Sequence, residues 1–534
     1  MKRPGNLRNW RLPMAALCIG AVSFTVAAAP ASAFGKSQDK TSETSGPSQD
    51  AIAESLSAVP SVKGPIAETA NSYMFSTMDQ AKEPFDVKDH GYVEKEYFLS
   101  GTANVYSNES GAVEVATEDV PYTNRILVRR PANPQDASGV VLVDILNASN
   151  GYDVEDHWRR VWQHAMAEGH TYIGITSKPL NVDALKNFDA ERYADLSWNT
   201  DQDTADQRIV ADPDNPATFD PFMVVEGAEE GLAWDIITQV GTLLQSDQSR
   251  RVLGGQDAET VLLMGQSQSG IYLNTWTSNF HDLAREANGG NVFDGYLNSV
   301  GAVLERPLAQ DTDGVGGLQL VPGSEPELDT PFITVTSEGD TSLFGTGILA
   351  ENEDLAENRR HWQVPGTPHT DVNSPVTPAN EEVYRSGRLP RLMDQEFIDA
   401  LNPYPLEPAI IAATESLVDW VQDGEPAAPS QWFDMNDDGI LVRDEHGNVT
   451  GGVRYGLLDY PLATFNGASA PGSVFGSYSL ISREEFDETY GSREAYLELI
   501  EESNSRQIEA GYLTKSGAAQ MVRVANDLLD RIGA

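Results

Sequence analysis

The sequence predicts an α/β protein built on a mostly parallel central sheet with helices on both faces. Short, nearly continuous apolar segments alternate with segments of helical periodicity along most of the chain, and strands covered on both faces have this composition. Strands that alternate with helices usually form parallel sheets, because a crossover is needed to bring each strand back in the same direction. Two earlier segments alternate apolar and polar residues, which predicts antiparallel strands at the N-terminal edge of the sheet.

The predicted elements follow in a regular order. The two antiparallel strands are predicted at 92–106 and 122–130. Buried strands are predicted at 139–146, 171–176, 261–265, 293–303 and 331–336, and helices at 158–169, 231–244, 271–276 and 517–532, the last with Ser516 as its N-cap. We expect one folded domain over residues 62–534.

Two long polar regions interrupt this pattern. One lies around 180–229 and is rich in aspartate, and a second irregular region lies around 370–406. Loops of this length inside a compact domain usually act as lids or substrate walls. We therefore predict a lid insertion around 180–229.

The N-terminal segment has the composition of an export signal. Residues 1–11 are basic, residues 12–29 are largely apolar, and Ala31-Ser-Ala33 is a small-residue cleavage site. We expect residues 1–33 to be a secretory signal peptide, residues 34–61 to be a disordered linker, and the protein to be secreted. The only cysteine, Cys18, lies in the signal, which excludes a cysteine nucleophile and a thiolate metal site from the folded domain.

The net charge restricts the partners of this chain. It has 534 residues, 40% of them hydrophobic, and a formal charge of -45 at pH 7. A field of this sign repels nucleic acid and anionic membrane surfaces. We therefore expect a soluble protein that binds no nucleic acid and, after signal cleavage, no membrane.

A strand-to-helix turn at Ser267 is the first candidate for a catalytic site. An apolar segment runs into Gly265-Gln-Ser267-Gln-Ser-Gly270, and a segment of helical periodicity follows. This order is typical of a nucleophile elbow, in which a tight turn exposes a serine at the carboxyl end of a sheet. The usual pattern is G-x-S-x-G, and here Ser269 replaces the last glycine. A glycine- and serine-rich turn without chemistry is the alternative.

An elbow serine needs a base and an acid, and both follow it along the chain. Asp340 comes directly after a predicted strand, and His369 lies in a Gly/Pro-rich loop beyond it. The order Ser267, Asp340, His369 is the nucleophile, acid, histidine order of the α/β-hydrolases. Glu338, on the same turn as Asp340, is the alternative acid, and His361 is the nearest alternative base.

An acyl-transfer reaction also needs two backbone N–H donors for the oxyanion. The first is expected from the residue after the nucleophile, Gln268. The second is expected from the loop after the strand 139–146, where spacing does not separate Asn147 from Ala148. We name Gln268 and Asn147 as the oxyanion hole.

Five stretches of the chain resemble one protein family. They are Glu96-Tyr-Phe-Leu-Ser-Gly-Thr-Ala103, Thr123-Asn-Arg-Ile-Leu-Val-Arg-Arg-Pro131, Val143-Asp-Ile-Leu-Asn147, Gly265-Gln-Ser-Gln-Ser-Gly270 and Gly451-Gly-Val-Arg454. From about Gly64 onwards the chain resembles the secreted bacterial family described as "alpha/beta hydrolase domain" proteins, in which a G-x-S-Q-S-G elbow is common. The resemblance implies an α/β-hydrolase fold and serine-dependent hydrolysis of carboxylic esters.

The predicted function is therefore that of a secreted serine hydrolase. We expect it to cleave small-molecule or polymeric carboxylic esters through a Ser-His-Asp triad and an acyl-enzyme intermediate, with no cofactor. An acyltransferase with the same triad is one alternative, because the choice of acceptor depends on how water is excluded. A catalytically inactive extracellular binding protein that depends on calcium is another.

Residues 434–445 match the pattern of a calcium-binding loop. Oxygen ligands alternate from Asp434, Gly439 stands at the sharp turn, and Glu445 closes the loop. Prolines shortly before this segment and a glycine shortly after it leave no flanking helix pair. A surface β-turn is the favoured interpretation, and a structural calcium ion without a catalytic role is the alternative.

Overall fold

In a computed structural model the strands form one large sheet and two small ones. The structure describes residues 47–69, 71–200, 208–310, 321–322, 328–345, 355–370 and 377–534. Its strands are β1 (Ser61–Lys63), β2 (Tyr92–Ser107), β3 (Glu114–Pro131), β4 (Val140–Ile145), β5 (Thr171–Ile175), β6 (Thr260–Gln266), β7 (Gly295–Ser299), β8 (Leu304–Glu305), β9 (Val321–Pro322), β10 (Phe332–Ser337), β11 (Arg359–Val364), β12 (Ala463–Asn466) and β13 (Ser477–Leu480).

The helices lie mainly between and after the parallel strands. They are α1 (Pro47–Leu56), α2 (Trp158–Ala167), α3 (Pro179–Phe188), α4 (Ala233–Gln245), α5 (Ser249–Val252), α6 (Gln268–Asn279), α7 (His281–Asn288), α8 (Asp340–Phe344), α9 (Asn380–Arg385), α10 (Gln395–Ala400), α11 (Glu407–Asp423), α12 (Gly456–Asp459), α13 (Arg483–Thr489), α14 (Arg493–Glu509) and α15 (Lys515–Ile532). Within the described ranges, none of them combines the length and the apolar content needed to cross a bilayer.

The large sheet has nine strands in the described part of the chain, in the order β1-β2-β3-β5-β4-β6-β7-β10-β11. The pairings from β1 to β5 are antiparallel, and all pairings from β5 to β11 are parallel. The predicted α/β class, with antiparallel strands at the N-terminal edge, is confirmed. Because β5, β4, β6, β7, β10 and β11 are parallel, the loops after them meet along one edge of the sheet.

Helices bury both faces of the parallel sheet. Successive residues of β4 belong to opposite apolar cores, Val141 and Val143 to the first and Val140 and Leu142 to the second. The first core receives side chains from α1, α4, α6 and α7, and the second from α2, α11, α14 and α15. This two-sided burial explains why the parallel strands are nearly continuous apolar segments.

Strand β7 is shorter than the predicted strand 293–303. Val300 and Ala302 have φ angles of 49° and 50°, in the left-handed region, and this ends the extended backbone. The Asn298 side chain accepts a hydrogen bond from Gly301 N at 3.1 Å and stabilises the turn. The apolar composition beyond Ser299 therefore reflects burial and not a strand.

Helix α15 begins at Lys515, two residues earlier than predicted. Its N-cap is Thr514, whose Oγ1 accepts a hydrogen bond from Gly517 N at 3.1 Å. The predicted cap, Ser516, is therefore wrong and lies inside the helix. Met521 and Leu528 are buried in the second core, as the helical spacing predicts.

The predicted linker 34–61 is wrong for the residues that the structure describes. Helix α1 and strand β1 occupy most of residues 47–63, and Ile52 and Leu56 are 2% and 0% exposed in the first core. Ser55 Oγ also donates to the buried Asp235 carboxylate at 2.5 Å. Two apolar residues at helical spacing thus anchor a segment whose average composition is polar.

Replacing Leu56 with alanine should lower the free energy of unfolding by about 2–5 kcal/mol, because truncating a buried leucine leaves a cavity. Urea unfolding followed by tryptophan fluorescence measures this change. Val59→Ala is the matched control, since Val59 is 40% exposed, and it should change the value by less than about 0.5 kcal/mol. Equally small effects of both variants would mean that α1 contributes nothing to the core.

The two long polar regions contain more structure than predicted. Helix α3 lies in the first of them, and Trp198, 1% exposed, donates from Nε1 to Asn124 Oδ1 at 3.1 Å. Residues of α3 and Trp198 are largely buried, so this part of the predicted lid packs against the body of the protein, and the lid around 180–229 stays a prediction. The region 370–406 contains α9 and α10.

Some predicted features fall outside the described residues. The signal peptide predicted at 1–33 and the beginning of the predicted linker precede residue 47, where the described chain starts. Residues 201–207 of the predicted lid and 371–376 of the second irregular region are also outside it.

Candidate active site

Ser267 lies between the last residue of β6 and the first residue of α6, in a strained conformation. Its φ and ψ are 55° and -120°, a combination that residues other than glycine rarely adopt. Two backbone hydrogen bonds hold it there, from Ser267 N to Ser299 O at 2.8 Å and from Ile271 N to Ser267 O at 3.0 Å. Backbone strain of this kind persists where the surrounding structure enforces it, often at functional sites.

Glycines make this turn sterically possible. A Cβ atom at position 265 would lie 2.2 Å from Ser269 O, and one at position 270 would lie 2.3 Å from Asn298 Oδ1. Both distances are shorter than any real contact, so only glycine fits at these two positions. Ser269 is 2% exposed and fits at the position where the usual pattern has its last glycine.

A hydrogen-bonded chain of three side chains starts at the serine. Ser267 Oγ lies 2.8 Å from His369 Nε2, and His369 Nδ1 lies 2.5 Å from Asp340 Oδ1. Asp340 is the first residue of α8, on the turn after β10, and His369 lies in the loop after β11, so all three side chains come from the carboxyl ends of parallel strands. With its proton on Nδ1, the imidazole donates to the carboxylate, and Nε2 is free to accept from the serine hydroxyl.

The members of this chain differ in burial. Asp340 is 0% exposed and His369 is 4% exposed, while Ser267 is half-buried. Asp340 Oδ2 also accepts a hydrogen bond from Ser337 N at 2.8 Å, which fixes the orientation of the carboxylate. The arrangement can remove a proton from a partly accessible hydroxyl and stabilise the imidazolium that forms.

The family model described as "Alpha/beta hydrolase domain" matches residues 62–523. The chain belongs to the alpha/beta hydrolase domain family. Among solved structures, the hydrolase is similar to a cold-adapted esterase from an Arctic intertidal metagenomic library, at 12% identity and a TM-score of 0.27 over 56% of this chain and 95% of that one. It is also similar to esterase B from Lactobacillus rhamnosis, at 12% identity and a TM-score of 0.24 over 45% of this chain and 69% of that one. No curated protein matches the sequence significantly.

The alternative acid and base of this hydrolase have other roles. The Glu338 carboxylate accepts hydrogen bonds from Gly366 N at 2.8 Å and from an Arg443 guanidinium nitrogen at 2.8 Å, whereas His369 Nδ1 is bonded to Asp340. His361 is 2% exposed in β11, and its Nε2 lies 2.7 Å from Thr336 Oγ1. Burial, assisted by Arg359, lowers the pKa of His361 to about 3. It is a neutral core residue.

The structure separates the two candidates for the second oxyanion donor. Asn147 N donates to Val154 O at 2.9 Å, so this N–H group is already used and the prediction of Asn147 is wrong. The N–H groups of Ala148 and Gln268 have no acceptor among the described residues, so Ala148 is the remaining candidate for the second donor. The Asn147 side chain has a different task, because its Nδ2 donates to Gln266 O at 2.9 Å and holds this loop beside the elbow.

A second Ser-His-Asp chain lies beneath the elbow. His157 Nδ1 lies 3.1 Å from Asp144 Oδ1, and His157 Nε2 lies 3.0 Å from Ser299 Oγ. These three residues are 0–1% exposed, so the hydroxyl of Ser299 cannot meet a substrate. Since Ser299 O holds Ser267 N, this buried network supports the turn. In the sequence, the one signal of this network is an aspartate, Asp144, inside the apolar strand β4.

A buried ion cluster fixes the other side of α6. Lys178 Nζ lies 2.9 Å from Glu230 Oε1, and Tyr272 of α6 and Arg306 also donate to this carboxylate. Burial lowers the pKa of Lys178 to about 8, despite the attraction of Glu230. Burial would raise the pKa of Glu230, but Arg306 and Lys178 lower it to about 2. The cluster thus holds α6 against the segment that follows β5.

The segment that matches a calcium loop is an arm of extended chain and turns, here called the arm (residues 433–451). Isolated bridges join Phe433 to Gly451 and Met435 to Leu441. The side chain of Asn436 accepts from the backbone of its own loop, at 2.9 Å from Ile440 N. The described residues contain no group of three or more His, Cys, Asp or Glu that could hold a metal ion. The bridges agree with the predicted surface turn, and the alternative of a structural calcium ion at 434–445 stays a prediction.

Proposed function

We propose that this hydrolase cleaves carboxylic esters with Ser267 as nucleophile, His369 as general base and acid, and Asp340 as the residue that orients the imidazole. The observation that carries the proposal is the continuous chain from Ser267 Oγ through His369 to Asp340, at 2.8 and 2.5 Å. A serine is a weak nucleophile in water unless an adjacent base takes its proton, and this chain supplies the base.

The reaction has two halves. Ser267 Oγ attacks the ester carbonyl while His369 Nε2 takes the hydroxyl proton, and the same imidazole then gives this proton to the leaving alcohol. The serine is left as an acyl ester. In the second half, water attacks the acyl ester while His369 takes its proton, and His369 then returns this proton to Ser267 Oγ. This releases the carboxylic acid and the free serine.

The oxyanion that forms in each half is stabilised by backbone N–H groups. The N–H of Gln268 stands at the N-terminus of α6, where the helix dipole adds a partial positive charge. Ala148 supplies the second N–H from the loop after β4. Donors that are fixed before the reaction stabilise the developing charge without reorganisation, and one such donor lowers the barrier by about 3–4 kcal/mol.

We also propose that the hydrolase is secreted and acts on small or polymeric esters. The basic, apolar and small-residue sections of residues 1–33 support export. The charge of -45 supports a soluble protein without nucleic-acid or membrane partners. Fractionation of cells that produce the full chain, followed by N-terminal sequencing, tests this part of the proposal.

A fluorophosphonate probe and a panel of p-nitrophenyl esters test the proposed activity. We expect the probe to label the folded protein at Ser267, because it reacts with an activated serine. We expect turnover of short esters with a kcat of about 1–1,000 per second, unaffected by a metal chelator. A correctly folded protein that takes up no label and cleaves no ester of the panel would refute the proposal.

A further inference from the structure

Glu338 joins three segments of chain around the proposed triad. The residue is buried, with 3% of its surface exposed. Oε2 accepts from Gly366 N at 2.8 Å, and Oε1 accepts from Gly467 N at 3.2 Å and from a guanidinium nitrogen of Arg443 at 2.8 Å. Gly366 lies in the loop after β11 that carries His369, here called the histidine loop (residues 365–370). Gly467 directly follows β12, and Arg443 lies in the arm.

The turn that carries Glu338 also carries Asp340, and the loop that carries Gly366 also carries His369. Backbone hydrogen bonds connect this turn and loop as well, from Glu338 N to Val364 O at 3.2 Å and from Gly339 N to Thr367 O at 3.1 Å. The junction is tightly packed, since a Cβ atom at position 339 would lie 2.5 Å from His369 N. Among these connections, Glu338 is the side chain that also reaches the arm.

We propose that Glu338 is a positioning residue that sets the distance between Asp340 and His369. The inference rests on the proposed function. The Glu338 carboxylate accepts hydrogen bonds from three segments, and it therefore fixes the turn that carries Asp340 against the histidine loop. Through Arg443 it also connects the arm to this turn. A displacement of about 1 Å between catalytic groups lowers a rate by about 100-fold, so this connection matters for turnover.

Glu338→Gln tests the proposal with little change of shape. The new NH2 group donates where an oxygen accepted, so at least one of the three hydrogen bonds is lost. We expect kcat for p-nitrophenyl acetate to fall by about 10–100-fold while KM stays within about twofold. The acid limb of the kcat/KM profile should move to lower pH, because a looser Asp340 carboxylate stabilises the imidazolium of His369 less.

Glu94→Gln is the matched control. Glu94 is also paired with an arginine and a backbone N–H, through Arg129 Nε at 2.8 Å and Met78 N at 3.0 Å. In the sheet, its partner Arg129 lies opposite Tyr172, near the amino end of β5. The triad residues instead follow the carboxyl ends of the parallel strands. Glu94→Gln should lower the melting temperature without moving the pH profile.

The outcomes separate the inference from the proposed function. Glu338→Gln with the kinetics and pH profile of Glu94→Gln would overturn the inference. If Glu338→Gln does not fold, Arg443→Ala decides. This variant removes one of the three donors to Glu338, and the Arg443 side chain is 37% exposed, so its loss should disturb the fold less. A three- to tenfold lower kcat at constant KM supports the inference, and an unchanged kcat overturns it. A parental protein that neither hydrolyses the ester nor takes up the fluorophosphonate would instead refute the proposed function.

Discussion

Replacing Ser267 with alanine should lower kcat for a short p-nitrophenyl ester by about 10⁴-fold or more and abolish labelling by a fluorophosphonate. No other hydroxyl is hydrogen-bonded to His369 in the described part of the chain, and a missing nucleophile leaves only the oxyanion hole and substrate binding. The melting temperature should stay close to the parental value, because alanine meets the same backbone strain as serine at φ 55°.

Ser299→Ala is the control for this variant. It removes the serine of the buried Asp144-His157-Ser299 chain and leaves the nitrogen of His157 without a partner, which should cost about 1–3 kcal/mol of stability. Labelling at Ser267 should remain. Parental turnover by Ser267→Ala would rule out the proposed mechanism.

Asp340→Asn should lower kcat by about 10³–10⁴-fold with little change of KM. An amide group at this position stabilises the tautomer with the proton on Nε2, which cannot accept the proton of Ser267. Asparagine has the shape of aspartate, so the fully buried site should keep its packing. Stopped-flow and steady-state assays over pH 5–9 measure the loss.

Asp294→Asn provides the comparison. Asp294 also accepts a backbone hydrogen bond, from Val261 N at 2.8 Å, but it lies at the amino ends of β6 and β7. It should keep kcat within about twofold of the parental value. If Asp340→Asn behaved in the same way, another carboxylate would have to orient the imidazole, and Glu338 would be the first to examine.

The features that sequence predicted best are those set by local pattern and topology. Around Ser267, a continuous apolar segment indicates the strand, two glycines indicate the tight turn, and apolar residues at helical spacing indicate the helix. Because the loops after parallel strands meet at one edge, chain order alone indicated that Asp340 and His369 lie close to Ser267. The structure places them within hydrogen-bonding distance.

The features that sequence did not predict depend on contacts between distant segments. The N–H of Asn147 donates to Val154 O because the loop folds back on itself, and residue spacing in the sequence does not indicate this hydrogen bond. The short β7 follows from left-handed backbone at Val300, which an apolar run conceals. The roles of Glu338 and His157 appear only when their partners, far along the chain, are brought together.

The burial of helix α1 imposes an order of events on the newly made polypeptide. Leu56 O accepts a hydrogen bond from Asn288 Nδ2 at 3.0 Å, across a sequence separation of 232 residues. The helix emerges from the ribosome early, yet it finds this partner only after residue 288 has been synthesised, and until then its apolar side is open to aggregation. A protease that removed Ile52 and Leu56 would remove part of the first core, so a stable processed form must retain both residues.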